Sequence, residues 1–273
     1  MTHLIIKKKN EVFITIDSEQ YVYHELSDHF TFEVPGAKFM PQYRNKYWDG
    51  KIRLYDMRKN EIYTGLVDRV ISFCNRKGYT YEFEGSKFYG LPLEENEMIS
   101  PEGVTDYVKR ISKHKPRPYQ IMGIHDALRH NRKLLLSPTA SGKSLMIYAI
   151  TRYHVEHNRK ILIVVPTTSL VEQMYKDFED YGWDVEKYCH RVYAGRDKIS
   201  DDSVTITTWQ SIYKLDRKYF NNFDVVIGDE AHLFKSKSLV SIMTKMLDCK
   251  YRYGFTGTLD GTQTHKWVLE GLF

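Results

Sequence analysis

The chain has 273 residues, enough for two domains, and its 42% apolar and 27% charged residues are typical of a globular protein. The longest aliphatic run, ILIVV at 161–165, is far too short to span a bilayer, and the N-terminal stretch lacks the order of a secretory signal. Three dispersed cysteines without metal-ligand spacing indicate reduced thiols in a cytoplasmic protein, and the net charge of +5 permits a polyanionic partner without requiring one.

Short elements of mixed type are predicted over the first 85 residues. Alternating apolar and polar residues predict strands at 11–16 and 79–83. Helical spacing predicts helices at 18–30 and 65–78, the first with Ser18 as its N-cap. The sequence therefore predicts a small α+β domain over residues 1–88.

A basic segment at 38–59 lies inside this domain. An Asp-Gly pair between two alternating runs predicts a β-hairpin over 43–57. The segment carries seven basic and two acidic residues with interleaved aromatics, a composition suited to binding a nucleic-acid backbone. A solvated basic face with a packed tryptophan explains the pattern equally well. The candidate contacts are Arg44, Lys51, Arg53 and Arg58.

Four of the eight prolines lie between residues 92 and 118, where the periodic pattern dissolves. This composition predicts a linker over 89–115, with one short helix at 103–112. The second domain is predicted to cover 116–273.

The second domain alternates strand-like and helical stretches. Apolar runs at 133–137, 160–165, 203–208, 223–228 and 251–255 predict a mostly parallel sheet with helices on both faces, an α/β fold. Ligands of such sheets bind beyond the carboxyl ends of the strands.

The octapeptide SPTASGKS at 137–144 follows the first of these strands and precedes a predicted helix. This is the context of a phosphate-binding loop, in which Lys143 reaches the β- and γ-phosphates and the Ser144 hydroxyl binds Mg²⁺. Ser137 stands where glycine is usual, and the alternative is a glycine turn that ends in a surface lysine. The predicted nucleotide-binding residues of the loop are Pro138, Thr139, Ala140, Ser141, Gly142, Lys143 and Ser144.

The tetrapeptide DEAH at 229–232 follows the strand predicted at 223–228. Asp229 is placed to hold Mg²⁺, and Glu230 to orient and polarise an attacking water. Two acids that cap a helix are the alternative for an isolated pair. With a phosphate loop upstream, we predict that Lys143, Asp229 and Glu230 form a catalytic group.

These motifs occur in a familiar order. SPTASGKS, VPTTSL (165–170), TTWQS (207–211), DEAH and TGT (256–258) resemble motifs I, Ia, Ib, II and III of superfamily 2 helicases and translocases, and RPYQ (117–120) resembles their adenine-reading motif. The resemblance implies a RecA-like P-loop lobe that uses ATP and Mg²⁺.

The resemblance also implies roles for single residues. It implies that Arg117 and Gln120 contact the adenine. It implies that the nucleic-acid backbone is contacted by Pro166, Thr167, Thr168, Thr208, Trp209 and Gln210. Coupling between the nucleotide site and the nucleic-acid site is implied for His232, Thr256 and Thr258. Taken alone, the threonines of motifs Ia and Ib are better explained as helix N-caps. Trp209 is better explained as packed than as stacked on a base.

The front domain is similar to a narrower group. Phe39, Pro41, Tyr43 and Arg44, the run WDGKIRL at 48–54 and GLV at 65–67 resemble the N-terminal domain of phage UvsW-type helicases. That family implies unwinding, reannealing and branch migration of branched DNA and R-loops in recombination, replication and repair. The implied partner is branched duplex DNA, with RNA–DNA hybrid as an alternative, and the implied location is the host cytoplasm. The sequence leaves the oligomeric state open, with a monomer as the expectation.

Motors of this kind use two RecA-like lobes, and the second supplies arginines to the nucleotide. The sequence ends at Phe273, shortly after TGT, so we expect a fragment that carries the front domain and the first lobe and is nearly inactive alone. Two alternatives stay open: a non-catalytic nucleic-acid-binding module with a nucleotide switch, and a translocase subunit of a restriction enzyme.

Overall fold

The computed structural model describes residues 2–85, 96, 98–138, 141–193, 195, 197–258 and 263–273. Two main sheets organise them: a five-stranded mixed sheet near the N-terminus and a six-stranded parallel sheet. The predicted α/β class with a small α+β region in front is confirmed. No helix among the described residues is long and apolar enough to cross a bilayer.

Among the described residues, the front region contains seven strands and three α-helices, with two short 3-10 helices at Ala37–Phe39 and Thr64–Leu66. The strands are β1 (His3–Lys8), β2 (Phe13–Asp17), β3 (Thr31–Glu33), β4 (Lys51–Arg53), β5 (Tyr55–Asp56), β6 (Glu61–Tyr63) and β7 (Thr80–Glu84), and the helices are α1 (Gln20–His29), α2 (Pro41–Arg44) and α3 (Val67–Lys77). The sheet order is β5-β6-β2-β1-β7, with β1 and β7 parallel. Alternate residues of β1 and β2 are buried in one core with α1 and α3.

Two local predictions for the front region are wrong. The helix predicted from residue 18 has Glu19, not Ser18, at its N-cap. The hairpin predicted over 43–57 is absent from this described stretch, because residues 41–44 form a helix and β4 pairs with β3 instead. Pro41 at the first helical position favours that helix.

The segment that joins β3 to β4 has a compact base. We call residues 36–50 the tip. Gly50 has φ +78°, and a Cβ there would lie 3.0 Å from the Ala37 Cβ and 3.1 Å from the Tyr43 ring. The Val34 amide donates to the Gly50 carbonyl across the base at 2.8 Å. Glycine is therefore required at position 50, both for its backbone angle and for the close packing.

The second region contains the remaining elements. They are α4 (Pro101–Ile111), α5 (Pro118–Arg129), β8 (Arg132–Leu136), α6 (Lys143–Glu156), β9 (Ile161–Val165), α7 (Thr168–Asp180), α8 (Val185–Tyr188), β10 (Cys189–Val192), β11 (Val204–Thr208), α9 (Trp209–Ile212), α10 (Arg217–Phe220), β12 (Val225–Asp229), α11 (Lys237–Lys245), β13 (Tyr251–Thr256) and α12 (Gln263–Leu272). All five predicted strands are confirmed, and β10 is an additional edge strand.

The second sheet has the order β10-β11-β9-β12-β13-β8, and every described pairing in it is parallel. Every residue of β9, β11, β12 and β13 is buried, as expected when helices cover both faces. The carboxyl ends of these strands meet at one edge. The segment predicted as a linker contains α4, whose Val104, Val108 and Ile111 pack into the core of this region. The boundaries at 88 and 115 stay predictions.

Helix α12 joins the two regions. The Trp267 ring packs against Phe30 and Phe32 of the front region at centroid distances of 5.5 and 5.0 Å. Arg69 of α3 forms a forked ion pair with Glu270, with nitrogen–oxygen distances of 3.0–3.1 Å. The front core and one face of the parallel sheet are therefore continuous.

Candidate active site

The loop predicted to bind phosphate lies between β8 and α6. The Ser137 amide donates to the carbonyl of Thr256 at 2.8 Å, which ties the start of the loop to the end of β13. The Ser137 and Ser141 hydroxyls lie 2.5 Å apart, and this hydrogen bond joins the start of the loop to its end. Serine in place of the usual glycine thus contributes a hydrogen bond. Thr139 and Ala140 lie outside the described residues, and Pro138 is exposed.

Gly142 ends the loop and caps α6. Its φ is +73°, and a Cβ there would lie 2.4 Å from Nε2 of Gln120. The Gln120 amide donates to the carbonyls of Ser141 and Gly142 at 2.8 and 3.2 Å, and its Oε1 accepts from the Arg117 amide at 2.8 Å. Gln120, predicted to read adenine, is buried beneath the phosphate loop and holds its backbone.

Lys143, Asp229 and Glu230 converge, as their positions at strand ends predicted. The Lys143 ammonium nitrogen lies 2.8 Å from Oδ1 of Asp229 and 2.5 Å from Oε1 of Glu230. Burial acts to lower the pKa of Lys143, but hydrogen bonds to the two carboxylates outweigh it and raise the pKa. The lysine therefore stays charged, and two acids and one cation share a single half-buried point at the sheet edge.

Glu230 has φ +52°, a conformation that non-glycine residues rarely adopt and that clusters at functional sites. Its Oε2 lies 3.3 Å from Nδ1 of His232, and the same nitrogen lies 3.0 Å from the Thr256 hydroxyl. Thr256 in turn donates to the Thr258 carbonyl at 2.8 Å. The three residues predicted to couple the sites thus form a hydrogen-bonded chain that begins at His232, and Glu230 lies beside its first member.

Two tyrosines that were not among the predicted site residues also contact the site. The Ser144 hydroxyl lies 2.8 Å from the Tyr181 hydroxyl, and the Asp177 carboxylate is near enough for Ser144 to act on its pKa. Burial raises the pKa of both Asp177 and Tyr181, so the acid is less readily ionised than an exposed one. Tyr119 accepts from the Arg117 guanidinium at 2.9 Å and donates to the Ser141 carbonyl at 2.8 Å. Its position within RPYQ was the one available signal.

Five of the six residues predicted from motifs Ia and Ib, all except Trp209, line one open depression of about 670 Å³ at the same edge of the sheet. Thr167 caps α7 by accepting from the Leu170 amide at 3.3 Å, so it has the capping role considered from the sequence. The Gln210 amide lies 3.4 Å from the Pro166 carbonyl and joins the two motifs. Other lining residues are Thr168, Tyr193, Gly195, Lys198, Thr208 and Ser211. Trp209 is half-buried, and its ring packs edge-on against Tyr213.

The four basic candidates of the front region are all exposed. They differ in their partners. Arg53 forms a forked ion pair with Asp49, at 2.5 and 3.3 Å, whereas Arg44, Lys51 and Arg58 form no side-chain ion pair within the described parts of the chain. The structure therefore leaves three of the four free to bind an anion.

The family model described as type III restriction enzyme, res subunit, matches residues 113–261, more than half of the chain. The chain belongs to this family. A second model, described as DNA helicase UvsW, N-terminal, matches residues 5–84. The res-subunit match covers the parallel sheet from just before α5 to just beyond β13, and therefore every nucleotide-site residue described above.

Known relatives extend the match to the whole chain. The ATP-dependent DNA helicase uvsW of Enterobacteria phage T4 is 32% identical over 95% of this chain and 53% of its own length. A crystal structure of the UvsW helicase from bacteriophage T4 matches with a TM-score of 0.85 and 30% identity, over 99% of this chain and 98% of that one. A second, titled the crystal structure of T4 UvsW, gives 0.88 and 29%, with coverages of 99% and 56%.

The chain thus spans about half the length of the curated uvsW relative. It is also 30% identical over 145 residues to the DNA 3'-5' translocase XPB2 of Sulfurisphaera tokodaii, and that match covers 30% of the length of XPB2. The resemblance to UvsW-type superfamily 2 helicases is confirmed.

Proposed function

We propose that this chain is the DNA-recognition region and first motor lobe of an ATP-dependent DNA helicase. The observation that carries the proposal is the meeting of Lys143, Asp229 and Glu230 at the carboxyl edge of a parallel sheet, directly above a glycine-terminated loop. The uvsW relative, 32% identical, is named an ATP-dependent DNA helicase, which supports the same activity here.

The residues fit a magnesium nucleotide. The Ser144 hydroxyl and the Asp229 carboxylate are hard oxygen ligands, and Mg²⁺ at a triphosphate uses only one or two protein ligands. The N-terminus of the fourteen-residue α6 begins at Lys143, directly after the loop, and presents the first amide groups of the helix to phosphate oxygens. When bound, Mg²⁺ neutralises charge that develops on the phosphates.

The chain's own residues then have separate tasks. Lys143 exchanges its two carboxylate partners for phosphate oxygens, and that exchange releases Glu230. Glu230, freed from the ammonium but still 3.3 Å from His232, orients and polarises the attacking water. Arg117 and Gln120 bind the adenine side, and since Gln120 also holds the loop backbone, base recognition and loop shape are linked.

The depression formed by motifs Ia and Ib suits a nucleic-acid strand. Its threonines, its glutamine and Lys198 offer hydroxyl, amide and ammonium donors, which contact phosphates without reading bases. The contacts from Glu230 through His232 and Thr256 to Thr258 give hydrolysis a route from the nucleotide to the end of β13. We propose branched duplex DNA as the substrate, with RNA–DNA hybrid as the alternative, and a second RecA-like lobe as the partner that completes the nucleotide site.

The decisive experiment is an ATPase assay with forked, four-way and linear DNA on the protein with both lobes, with Glu230→Gln as the comparison. We expect forked and four-way DNA to stimulate hydrolysis most. Glu230→Gln should lower the rate about 10²- to 10⁴-fold while nucleotide binding persists. The 273 residues alone should be slower by about 10³- to 10⁵-fold, because arginines supplied by a second lobe stabilise the charge on the transferred phosphoryl group.

Other outcomes identify the alternatives. Nucleotide-dependent changes in DNA affinity without any turnover would favour the switch module. Equal stimulation by linear and branched DNA would favour a translocase of the restriction type.

A further inference from the structure

The tip carries two aromatic rings that the fold does not use. Phe39 is 77% exposed and Tyr47 is 86% exposed, whereas Tyr43 between them packs against Gly50. Within the described residues neither exposed ring stacks on another ring or forms a side-chain hydrogen bond. Since the burial of a large aromatic side chain is strongly favourable, two such rings left in solvent point to a ligand.

The rings lie beside two adjacent open depressions. Phe39 lines one of about 420 Å³, and Tyr47 lines one of about 590 Å³. Both depressions share Lys38, Tyr43 and Asp49, so Tyr43 is a common wall between them. The arrangement offers two neighbouring aromatic faces on one surface.

The charged residues around these rings indicate the chemical class of the ligand. Lys38, Arg44 and Lys46 are exposed, and none of them forms an ion pair in the described structure. The one acid of the tip, Asp49, is already neutralised by Arg53. Free cations that alternate with exposed aromatic rings suit a single nucleic-acid strand, in which phosphates meet the cations and unstacked bases meet the rings.

The tip is also preorganised. Gly50 locks its base against Ala37 and Tyr43, and the Trp48 indole donates to the Lys51 carbonyl at 2.8 Å. A rigid platform loses little conformational entropy when it binds, which favours stacking over a flexible contact. A base inside a duplex has both faces covered by its stacked neighbours, so such a platform distinguishes unpaired, unstacked bases from duplex.

We propose that Phe39 and Tyr47 stack on unpaired nucleobases where the strands of a branched DNA separate. The proposal rests on the proposed function for its DNA substrate and adds the feature of that substrate that the front region reads. It assigns specificity for the branch point to the rings and the phosphate attraction to the lysines and Arg44.

The test measures binding without nucleotide, on a forked DNA with unpaired bases at the junction and on a fully paired duplex of equal length. Phe39→Ala and Tyr47→Ala should each weaken fork binding about 5- to 150-fold, the equivalent of 1–3 kcal/mol per stacked base. Duplex binding and the salt dependence of both should stay unchanged, since no phosphate contact is lost.

Two further variants separate stacking from folding. Tyr47→Phe keeps the ring and should bind forks within about twofold of the original chain. Tyr21→Ala is the matched control, because Tyr21 is 47% exposed on α1 of the same region, away from the tip. 2-Aminopurine at the junction should be quenched by the original chain and by Tyr47→Phe, but less by Tyr47→Ala.

Equal losses on fork and duplex, unchanged fork binding in both alanine variants, or a Tyr47→Phe variant as weak as Tyr47→Ala would each overturn the proposal. A chain that binds neither DNA would instead count against the proposed function. Fork-selective loss together with absent ATP turnover would support the stacking and reject the motor.

Discussion

Gly142→Ala tests whether Gln120 braces the phosphate loop. The left-handed backbone at φ +73° costs an L-residue roughly 1–2 kcal/mol. The new Cβ would lie 2.4 Å from Nε2 of Gln120, so the amide must leave the carbonyls of Ser141 and Gly142. Two hydrogen bonds at about 0.5–1.5 kcal/mol each bring the expected loss of unfolding free energy to roughly 2–5 kcal/mol.

Gly78→Ala is the matched control for this substitution. Gly78 has φ +70°, nearly the same angle, but a Cβ there would meet nothing within 4 Å. It should therefore lose only the backbone contribution, roughly 1–2 kcal/mol. Urea unfolding of both variants, alone and combined with Gln120→Ala, separates the two contributions, since the second change removes the obstacle that Gly142→Ala meets.

The expected pattern is an excess loss for Gly142→Ala that disappears in the Gln120→Ala background. Nucleotide affinity should fall with the excess, because the loop backbone is what Gln120 holds. If Gly142→Ala and Gly78→Ala lose the same stability in both backgrounds, Gln120 does not brace the loop and the argument fails.

Three further outcomes are expected. Lys143→Ala in the protein with both lobes should abolish ATP hydrolysis and leave DNA binding intact by filter binding; parallel loss of both would indicate misfolding. Tyr181→Phe should lower the Mg²⁺ concentration needed for nucleotide binding by up to about tenfold, since it removes a hydrogen bond that competes for the Ser144 hydroxyl; a higher requirement would contradict this. Neutralising Lys51, Arg53 and Arg58 together should reduce the slope of log affinity for DNA against log salt concentration by about two rather than three, because Asp49 already neutralises Arg53. An unchanged slope would mean that these side chains are solvated and do not contact DNA.

The parallel sheet was predictable because its strands are buried on both faces and appear as unbroken apolar runs. Two of the missed strands lack that signal. Cys189–Val192 is an edge strand that pairs on one side, and its sequence, CHRV, is half polar. His3–Lys8 is central in the front sheet, but its lysines conceal the alternation of buried Leu4 and Ile6.

The wrong hairpin has a physical cause. The Asp-Gly signal is local, whereas the partner of Lys51–Arg53 is Thr31–Glu33, about twenty residues upstream. Gly50 does adopt a positive φ, as a glycine in a hairpin turn does. In this structure, however, the residue packs against Ala37 at the base of the tip and does not connect two paired strands. Long-range pairing decides such cases, and a local pattern does not contain it.

Much of the site was predictable for a geometric reason. Lys143, Asp229 and Glu230 follow strands of one parallel sheet, so topology alone brings them to one edge. Tyr181 and Asp177 come from the end of α7, and they reach Ser144 only because that helix packs against α6. No spacing in the sequence encodes that contact.

The two regions are connected through buried arginines as well as through α12. Arg252 of β13 is completely buried and donates to the carbonyls of Met243, Cys249 and Leu272 at 3.1–3.3 Å. Arg132 of β8 donates to the Leu272 carbonyl and also, at 2.6 Å, to the Glu11 carbonyl of the front region.

Burial lowers the pKa of both guanidinium groups, of Arg132 to about 9, so they depend on these carbonyls for stabilisation of their charge. Detaching the front region would remove the Glu11 carbonyl from the buried Arg132 guanidinium, and the free energy needed to leave a buried charged donor without its acceptor opposes that detachment. Because β13 also ends at Thr256, which hydrogen-bonds His232 at 3.0 Å, the strand next to the proposed catalytic group is fixed to the element that holds the front region. We therefore expect the tip and the first lobe to move as one body, so that each displacement of a second lobe shifts the DNA relative to a fixed tip.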